Sequence, residues 1–232
     1  MKPLDFKTHS VAGAKHETSE AEVFFYEEIG YWGIDAKMFA DTLQEIGDVD
    51  RIVLRLNSPG GDAFDGVAIF NSLVSHPAAV TVRVDSLAAS AASLVAMAGD
   101  RIEMAENAFL MIHAPWTVAM GNADELRSVA KTLEKLADSY AGTYASRRKL
   151  SADEVGEMLA DETWLNASEA VEAGFADEVL AVPAVAASVA RGRYQHTPAA
   201  LLSRETYEPP APKWRLAAAE RKTRLTELRR GA

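Results

Sequence analysis

Three short segments of the sequence carry residue types that could together perform nucleophilic hydrolysis. The first is a turn around Gly60 and Gly61, where two adjacent glycines permit unusual backbone angles and can leave N–H groups exposed. The second is the serine-rich stretch 86–93, where Ser90 is flanked by alanines that leave room for a substrate chain. The third is His113, which follows an apolar run and could act as a general base near neutral pH.

Each segment also has an ordinary structural explanation when it is considered alone. The glycines could form a plain turn, the alanines could pack a helix against a sheet, and a single histidine is more often structural. Considered together, the segments provide a nucleophile, a base and oxyanion donors, which serine hydrolysis requires together with an acid. Ser93 and Ser86 are alternative nucleophiles. The remaining histidines lie in polar or loop contexts and are weaker candidates, namely His9, His16, His76 and His196.

The composition argues against several other classes of protein. The chain has 232 residues, 24 Lys+Arg against 34 Asp+Glu, a formal net charge of −10 and no cysteine. An acidic chain is poorly suited to bind nucleic acid, and the lack of cysteine excludes disulfides, thiolate metal sites and cysteine nucleophiles. No spacing of His, Asp and Glu suggests a metal site. No apolar run reaches the roughly 18 residues of a membrane span, and residues 1–10 do not resemble a signal peptide, so we expect a cytoplasmic protein without a membrane partner.

Strands and helices alternate along the chain and must position the reactive residues. Strands are predicted at 23–26, 52–56, 80–84, 101–104, 108–112 and 176–180. Helices are predicted at 34–46, 63–74, 87–98, 122–148, from 151, and at 166–173. This alternation predicts an α/β fold with mostly parallel strands.

The two ends of the chain differ from its centre. We expect a flexible lead, one folded domain and a basic, partly disordered tail, at residues 1–20, 21–182 and 183–232. From Arg191 onward the sequence has ten basic and four acidic residues, a net charge of +6, and a basic helix is predicted at 215–230.

Four motifs in order make the sequence resemble the ClpP family of serine peptidases over roughly residues 21–180. They are Asn57-Ser58-Pro59-Gly60-Gly61, Ala88-Ala89-Ser90, Met111-Ile112-His113, and Trp164–Ala170 followed by Gly174 and Asp177. The compact form and the charged tail are most similar to the ClpP-related head maturation proteases of phages and prophages. The resemblance implies a ClpP/crotonase-type fold of repeated β-β-α units with a protruding handle helix at 122–148.

The resemblance also implies the roles of the catalytic residues. Ser90 matches the family's nucleophile and His113 matches its general base. The family's third residue, an aspartate, falls at Glu162, with Asp161 beside it. Either carboxylate could orient His113, and the sequence leaves the choice between them open.

The family's oxyanion donors match the backbone N–H groups of Gly61 and Ala91, and Gly60 and Gly61 would also bind the substrate. The family usually has a bulkier residue and then a glycine after its nucleophile, where this chain has Ala91 and Ala92. We expect this difference to alter the substrate pocket without preventing attack by the serine.

The implied activity is endopeptidase cleavage of capsid or scaffold proteins without a cofactor or metal. The resemblance further implies a homo-oligomeric ring stacked through the handle helix, although that helix could simply pack on its own monomer. The protein would then act in the cytoplasm or within a phage procapsid, with no nucleic-acid partner. The alternatives are a housekeeping-type ClpP subunit working with an ATPase, a crotonase-type acyl-CoA enzyme, and a non-catalytic assembly protein.

Overall fold

The computed structural model describes residues 4–12, 17–147, 150–181, 189–191, 193–198 and 201–206. The strands in these ranges are β1 (Phe6–Ala12), β2 (Glu17–Phe25), β3 (Arg51–Ser58), β4 (Ala79–Ala89), β5 (Arg101–Ala105), β6 (Phe109–Ile112), β7 (Thr163–Asn166), β8 (Glu178–Leu180), β9 (Val189–Arg191) and β10 (Leu202–Thr206). The helices are α1 (Ala36–Ile46), α2 (Ala63–Val74), α3 (Ala91–Ala96), α4 (Ala123–Arg147), α5 (Ala152–Ala160) and α6 (Ala167–Glu172).

A mixed sheet of eight strands forms the centre of the protein. The strand order is β1-β2-β3-β4-β5-β8, and β6 pairs with both β4 and β7. The β1–β2 and β6–β7 pairs are antiparallel, whereas β2–β3, β3–β4, β4–β5, β4–β6 and β5–β8 are parallel. The predicted α/β class with mostly parallel pairing is therefore confirmed.

Strand β4 is long enough to pair with two successive strands on one side. Its residues 81–84 pair with β5, and its residues 87–89 pair with β6. The prediction of a helix from residue 87 is therefore wrong, because β4 continues to Ala89 and α3 begins only at Ala91. The pairing with β6 overrides the helix propensity of the alanines. This extension carries Ser90 to the edge of the sheet where β6 also ends.

Apolar side chains fill the space between the sheet and its helices. The core includes Phe25, Leu54, Phe39 and Ile69, which are fully buried and lie on β2, β3, α1 and α2. Helix α2 begins at a well-defined position because the Asp62 carboxylate accepts hydrogen bonds from the N–H groups of its first turn. This cap fixes the start of α2 directly after the glycine turn.

Helix α4 projects from the domain for much of its length. It has 25 residues, which corresponds to about 37 Å. Its buried residues are Tyr140, Ala141 and Tyr144, all of which lie near its C-terminal end. The predicted protruding helix is therefore present, and its first half does not pack on the described part of the monomer.

The described residues near both ends of the chain include paired strands. Residues 6–12 of the expected flexible lead form β1, which pairs antiparallel with β2, and Leu4 and Phe6 pack against the core. In the expected tail, β9 and β10 pair with each other. The basic helix predicted at 215–230 lies outside the described residues. Among the described helices, none combines the length and apolar character needed to span a bilayer.

Candidate active site

The side chains of Ser90 and His113 are in hydrogen-bond contact. Ser90 Oγ lies 2.7 Å from His113 Nε2. Ser90 stands between β4 and α3, and its N–H donates to the carbonyl of Met111 at 2.9 Å. His113 is the first residue after β6. The parallel pairing of β4 with β6 thus brings a hydroxyl and a potential base together at one sheet edge.

The backbone of Ser90 is held in a conformation that residues other than glycine rarely adopt. Its φ is 56°, a positive value that is uncommon outside glycine. Ser93 helps to hold this turn, because its Oγ lies 2.6 Å from the carbonyl oxygen of Ser90 and 2.7 Å from that of Met111. Ser93 Oγ also lies 2.8 Å from the hydroxyl oxygen of Tyr144. Ser93 has one hydroxyl proton to donate to a carbonyl, so Tyr144 is the donor in their shared contact.

The structure buries both alternative nucleophiles. Ser93 and Ser86 are 0% and 1% exposed, respectively, and Ser93 is already bonded within the core. Ser90 remains the serine of this stretch whose hydroxyl faces a histidine.

The glycine turn lies against Ser90 so closely that a side chain at Gly60 would not fit. A Cβ at Gly60 would lie 2.4 Å from the Ala89 carbonyl oxygen and 2.7 Å from Ser90 Cβ, and the φ of Gly60 is +79°. The same Cβ would lie 3.0 Å from the Ala91 nitrogen. The glycine turn therefore lies directly beside Ser90 and the Ala91 amide at the start of α3.

Contacts with Ile29 fix the orientation of this turn. The Ile29 N–H donates to the Gly60 carbonyl and the Asp62 N–H donates to the Ile29 carbonyl, both at 2.9 Å. These bonds use the groups on either side of the Gly61 amide. Within the described part of the chain, neither the Gly61 nor the Ala91 N–H donates to another protein group. Both are therefore available to an oxyanion.

The environment of His113 favours its neutral form. Burial lowers the pKa of His113, the nearby Glu162 carboxylate raises it, and the Arg193 guanidinium lowers it, with a net decrease from 6.5. A neutral imidazole at pH 7 can accept the Ser90 proton.

The lowered pKa of His113 predicts the pH dependence of activity. Protonated His113 cannot act as a base, so kcat/KM should rise with pH through this pKa, with a midpoint below 6.5. Arg193→Ala should move the midpoint to higher pH, because a cation that lowers the pKa is removed. Initial rates on a fluorogenic peptide between about pH 5 and 8 measure both midpoints. A wild-type midpoint above 6.5 would contradict the electrostatic description.

Neither Glu162 nor Asp161 makes the hydrogen bond to His113 that the resemblance implies. The Glu162 carboxylate instead accepts from Trp164 Nε1 at 3.2 Å and from the backbone N–H groups of Gln195 and His196 at 2.8 and 2.6 Å. Asp161 ends α5 with its side chain exposed. Among the described residues, Nδ1 of His113 has no hydrogen-bond partner. Glu162 is near enough to influence His113 by charge, but its oxygens are occupied by other donors.

Two residues next to the site escaped the sequence analysis. The Tyr194 hydroxyl donates to the Pro59 carbonyl, and the Tyr194 ring lies edge-on to that of His113 at 5.3 Å between centroids. Arg193 Nη2 lies 2.8 Å from a Glu28 carboxylate oxygen. The residues around Tyr194 are polar and basic without periodicity, so no sequence signal distinguished this tyrosine from the rest of the tail.

The arrangement as a whole can perform acyl transfer through a serine. It combines a hydroxyl, an adjacent imidazole and two main-chain amides, in the glycine turn and after Ser90, that donate to no other described group. Among the residues that the structure describes, no group of three His, Cys, Asp or Glu side chains is placed to hold a metal ion.

Comparison with solved structures supports the predicted fold. A ClpP1 point mutant from Listeria monocytogenes superposes with a TM-score of 0.63 and 22% sequence identity, covering 69% of this chain and 91% of the other. At this identity the similarity concerns the fold, and it agrees with the ClpP-type architecture expected from the sequence.

Sequence comparisons identify the family. The ATP-dependent Clp protease proteolytic subunit of Bacteroides fragilis is 30% identical over 131 residues, or 56% of this chain and 63% of the relative. An Arabidopsis thaliana chloroplastic protein, ATP-dependent Clp protease proteolytic subunit-related protein 2, is 28% identical over 162 residues, or 68% of this chain and 57% of the relative. The matched region thus spans less than two thirds of either relative. The family model for Clp protease matches residues 14–183, and the chain therefore belongs to the Clp protease family.

Proposed function

We propose that the protein is a serine endopeptidase, with Ser90 as the nucleophile and His113 as the general base. The observation that carries this proposal is the 2.7 Å contact between Ser90 Oγ and His113 Nε2, next to two unused main-chain amides. Ser90 Oγ attacks the scissile carbonyl carbon while His113 takes the hydroxyl proton. His113 then gives this proton to the leaving amine, and water hydrolyses the acyl ester by the same route.

The Gly61 and Ala91 N–H groups stabilise the negative oxygen of the tetrahedral intermediate. Their positions beside Ser90 follow from the close approach of Gly60 to Ala89 and Ser90. An amide that donates to the developing oxyanion lowers the energy of the transition state more than that of the substrate. No cofactor takes part in these steps.

The substrate chain binds in an extended form along the glycine turn. Support comes from the Pro59 carbonyl, which already accepts a hydrogen bond from the Tyr194 hydroxyl and so faces a donor outside the sheet. A substrate N–H can use the same acceptor, as in strand addition to a sheet edge. Glu162 acts as the acidic partner of His113 through its charge, which favours the protonated imidazole formed during attack.

An exposed apolar patch supports the proposed self-assembly through the handle helix. It lies between β6 and the first turns of α4 and comprises Trp116, Val118, Met120 and Leu126, which are 52%, 67%, 79% and 43% exposed. Large apolar side chains exposed in this way favour burial against another protein. Together with the projecting half of α4, the patch suits contacts between copies of the chain in a homo-oligomeric ring.

In the finer form of the proposal, the protein is a phage or prophage head maturation protease that cleaves capsid or scaffold proteins. The support is the sequence resemblance and the +6 tail from Arg191 onward. The second candidate is a subunit that works with an ATPase, because the relatives are named as subunits of ATP-dependent proteases. Cleavage of capsid or scaffold proteins encoded beside the gene, without an ATPase, would favour the first role.

Labelling with a fluorophosphonate tests the proposed chemistry directly. We expect one covalent adduct at Ser90, because the probe reacts with a serine hydroxyl that a base has activated. Intact-mass and peptide mass spectrometry locate the adduct. Ser90→Ala should abolish it, whereas Ser75→Ala, at an exposed serine that follows α2, should leave it unchanged. A folded wild-type protein without an adduct at Ser90 even after prolonged incubation with excess probe would instead favour an acyl-CoA enzyme or a non-catalytic assembly protein.

A further inference from the structure

Part of the C-terminal region lies across the candidate active site. We define this part, residues 193–198 together with Leu201, as the strap. The Tyr194 and Leu201 side chains are 9% and 5% exposed, and they form a small apolar cluster with Leu87, Ala89 and Met111. This cluster is separate from the main core, which lies between the sheet and the helices.

Tyr194 fills a recess directly beside the catalytic pair. Its ring lies edge-on to His113 at 5.3 Å and to Trp164 at 5.8 Å between centroids. Ala89 and Met111 both lie next to Ser90. Ala89 precedes Ser90 in the chain and pairs with Met111, and the Ser90 N–H donates to the Met111 carbonyl. An apolar substrate side chain next to the scissile bond would enter this same space.

The strap also forms hydrogen bonds to two polar groups of the site. One is an acceptor that a substrate could use, and the other is the carboxylate that acts on His113. The Tyr194 hydroxyl occupies the Pro59 carbonyl, which precedes the Gly60–Gly61 turn. The backbone N–H groups of Gln195 and His196 occupy both oxygens of Glu162. With the strap in place, the acid nearest to His113 is bonded to the strap and to Trp164.

The contacts that hold the strap lie outside the pairing of the central sheet. Besides the Tyr194 cluster and the Glu162 contacts, it includes the ion pair of Arg193 with Glu28 at 2.8 Å and the bond from His196 Nδ1 to the Asp161 carbonyl at 3.0 Å. No strand of the central eight-stranded sheet is contributed by the strap. Its release would therefore leave the pairing of that sheet intact.

We propose that the strap is an intramolecular competitor of the substrate: Tyr194 occupies the recess beside His113 while the main chain at 195–196 holds Glu162, and the site accepts a substrate only when the strap leaves. This inference rests on the proposed peptidase function. Ser90 and His113 stay in contact with the strap in place, and Tyr194 fills space beside His113, so in this proposal the strap controls access and not the formation of the pair.

Full-length variants of the strap test this competition. We expect Tyr194→Ala to increase the rate of fluorophosphonate labelling at Ser90 by about 10–100-fold, because loss of a buried aromatic side chain raises the population of the open state. Arg193→Ala should give a smaller increase, since the Glu28 ion pair is lost. Gln195→Ala is the matched control and should leave the rate unchanged, because Gln195 holds Glu162 through its main-chain N–H.

The outcomes separate this inference from the proposed function. Circular dichroism melting first shows that each variant is folded. Labelling of Ser90 at equal rates in wild type and Tyr194→Ala would overturn the strap and leave the peptidase function standing. Slower labelling in Tyr194→Ala would also overturn it, since Tyr194 would then support His113. Absence of Ser90 labelling in every variant would contradict both the peptidase function and the inference.

Discussion

Replacing Ser90 with alanine is expected to lower kcat/KM for peptide hydrolysis by about 10⁴–10⁶-fold. In the proposed mechanism the Ser90 hydroxyl, which lies 2.7 Å from His113 Nε2, forms the covalent bond to the substrate, and alanine has no group that can replace it. His113→Ala should cause a loss of similar size, because the Ser90 hydroxyl then keeps its proton. The double variant should be no slower than either single variant, since the two residues act as one unit. Steady-state rates on a fluorogenic peptide give all three values.

Two controls make this result specific to the catalytic pair. Ser75→Ala, at an exposed serine, should retain wild-type kcat/KM. All variants should remain folded in circular dichroism melting, because Ser90 and His113 stand at element ends. Turnover by a folded Ser90→Ala protein, or losses that multiply in the double variant, would contradict the proposed mechanism.

Gly60→Ala is expected to reduce kcat/KM by about 10²–10³-fold, the usual effect of losing an oxyanion donor. The new Cβ would lie 2.4 Å from the Ala89 carbonyl oxygen, and main-chain atoms on both sides must move apart to relieve the contact. The Gly61 N–H then moves away from the position of the oxyanion. The loss should fall mainly on kcat, because the donor acts in the transition state.

Gly47→Ala separates the steric effect from the effect of backbone conformation. Gly47 also has a positive φ, +67°, but an added Cβ there has no neighbour within 4 Å. This variant should lose some thermal stability and keep its activity, because the strain of a positive φ acts at the end of α1. Equal kcat/KM losses in both variants would show that the glycine turn has no special relation to Ser90.

Local sequence patterns predicted most of the helices and strands and, in the site, the two residues Ser90 and His113. The helix predicted from residue 151 is confirmed, since α5 begins directly after a capping box formed by Ser151 and Glu154. The sequence predicts Ser90 as the nucleophile from its small neighbours and the family motif, and His113 as the base from its position after an apolar run. The structure brings these two side chains into contact.

The errors arise where distant contacts decide the structure. The sequence 87–89 is typical of a helix by its alanines, but pairing with β6 makes it strand. The lead joins the sheet through its pairing with β2, which composition does not reveal. Tyr194 and Glu162 meet the site through contacts that span more than 30 positions along the chain, and no local pattern encodes them.

The hydrogen bond between the Ser93 and Tyr144 hydroxyls connects α4 to the turn that carries Ser90. Tyr144 lies near the C-terminal end of the 25-residue helix α4, where the helix packs on the domain, whereas the N-terminal half of α4 projects from it. Ser93 Oγ contacts the main-chain carbonyl oxygens of both Ser90 and Met111. The anchored end of α4 is therefore linked, through the Tyr144 and Ser93 hydroxyls, to the main chain that positions the Ser90 hydroxyl and the His113 imidazole.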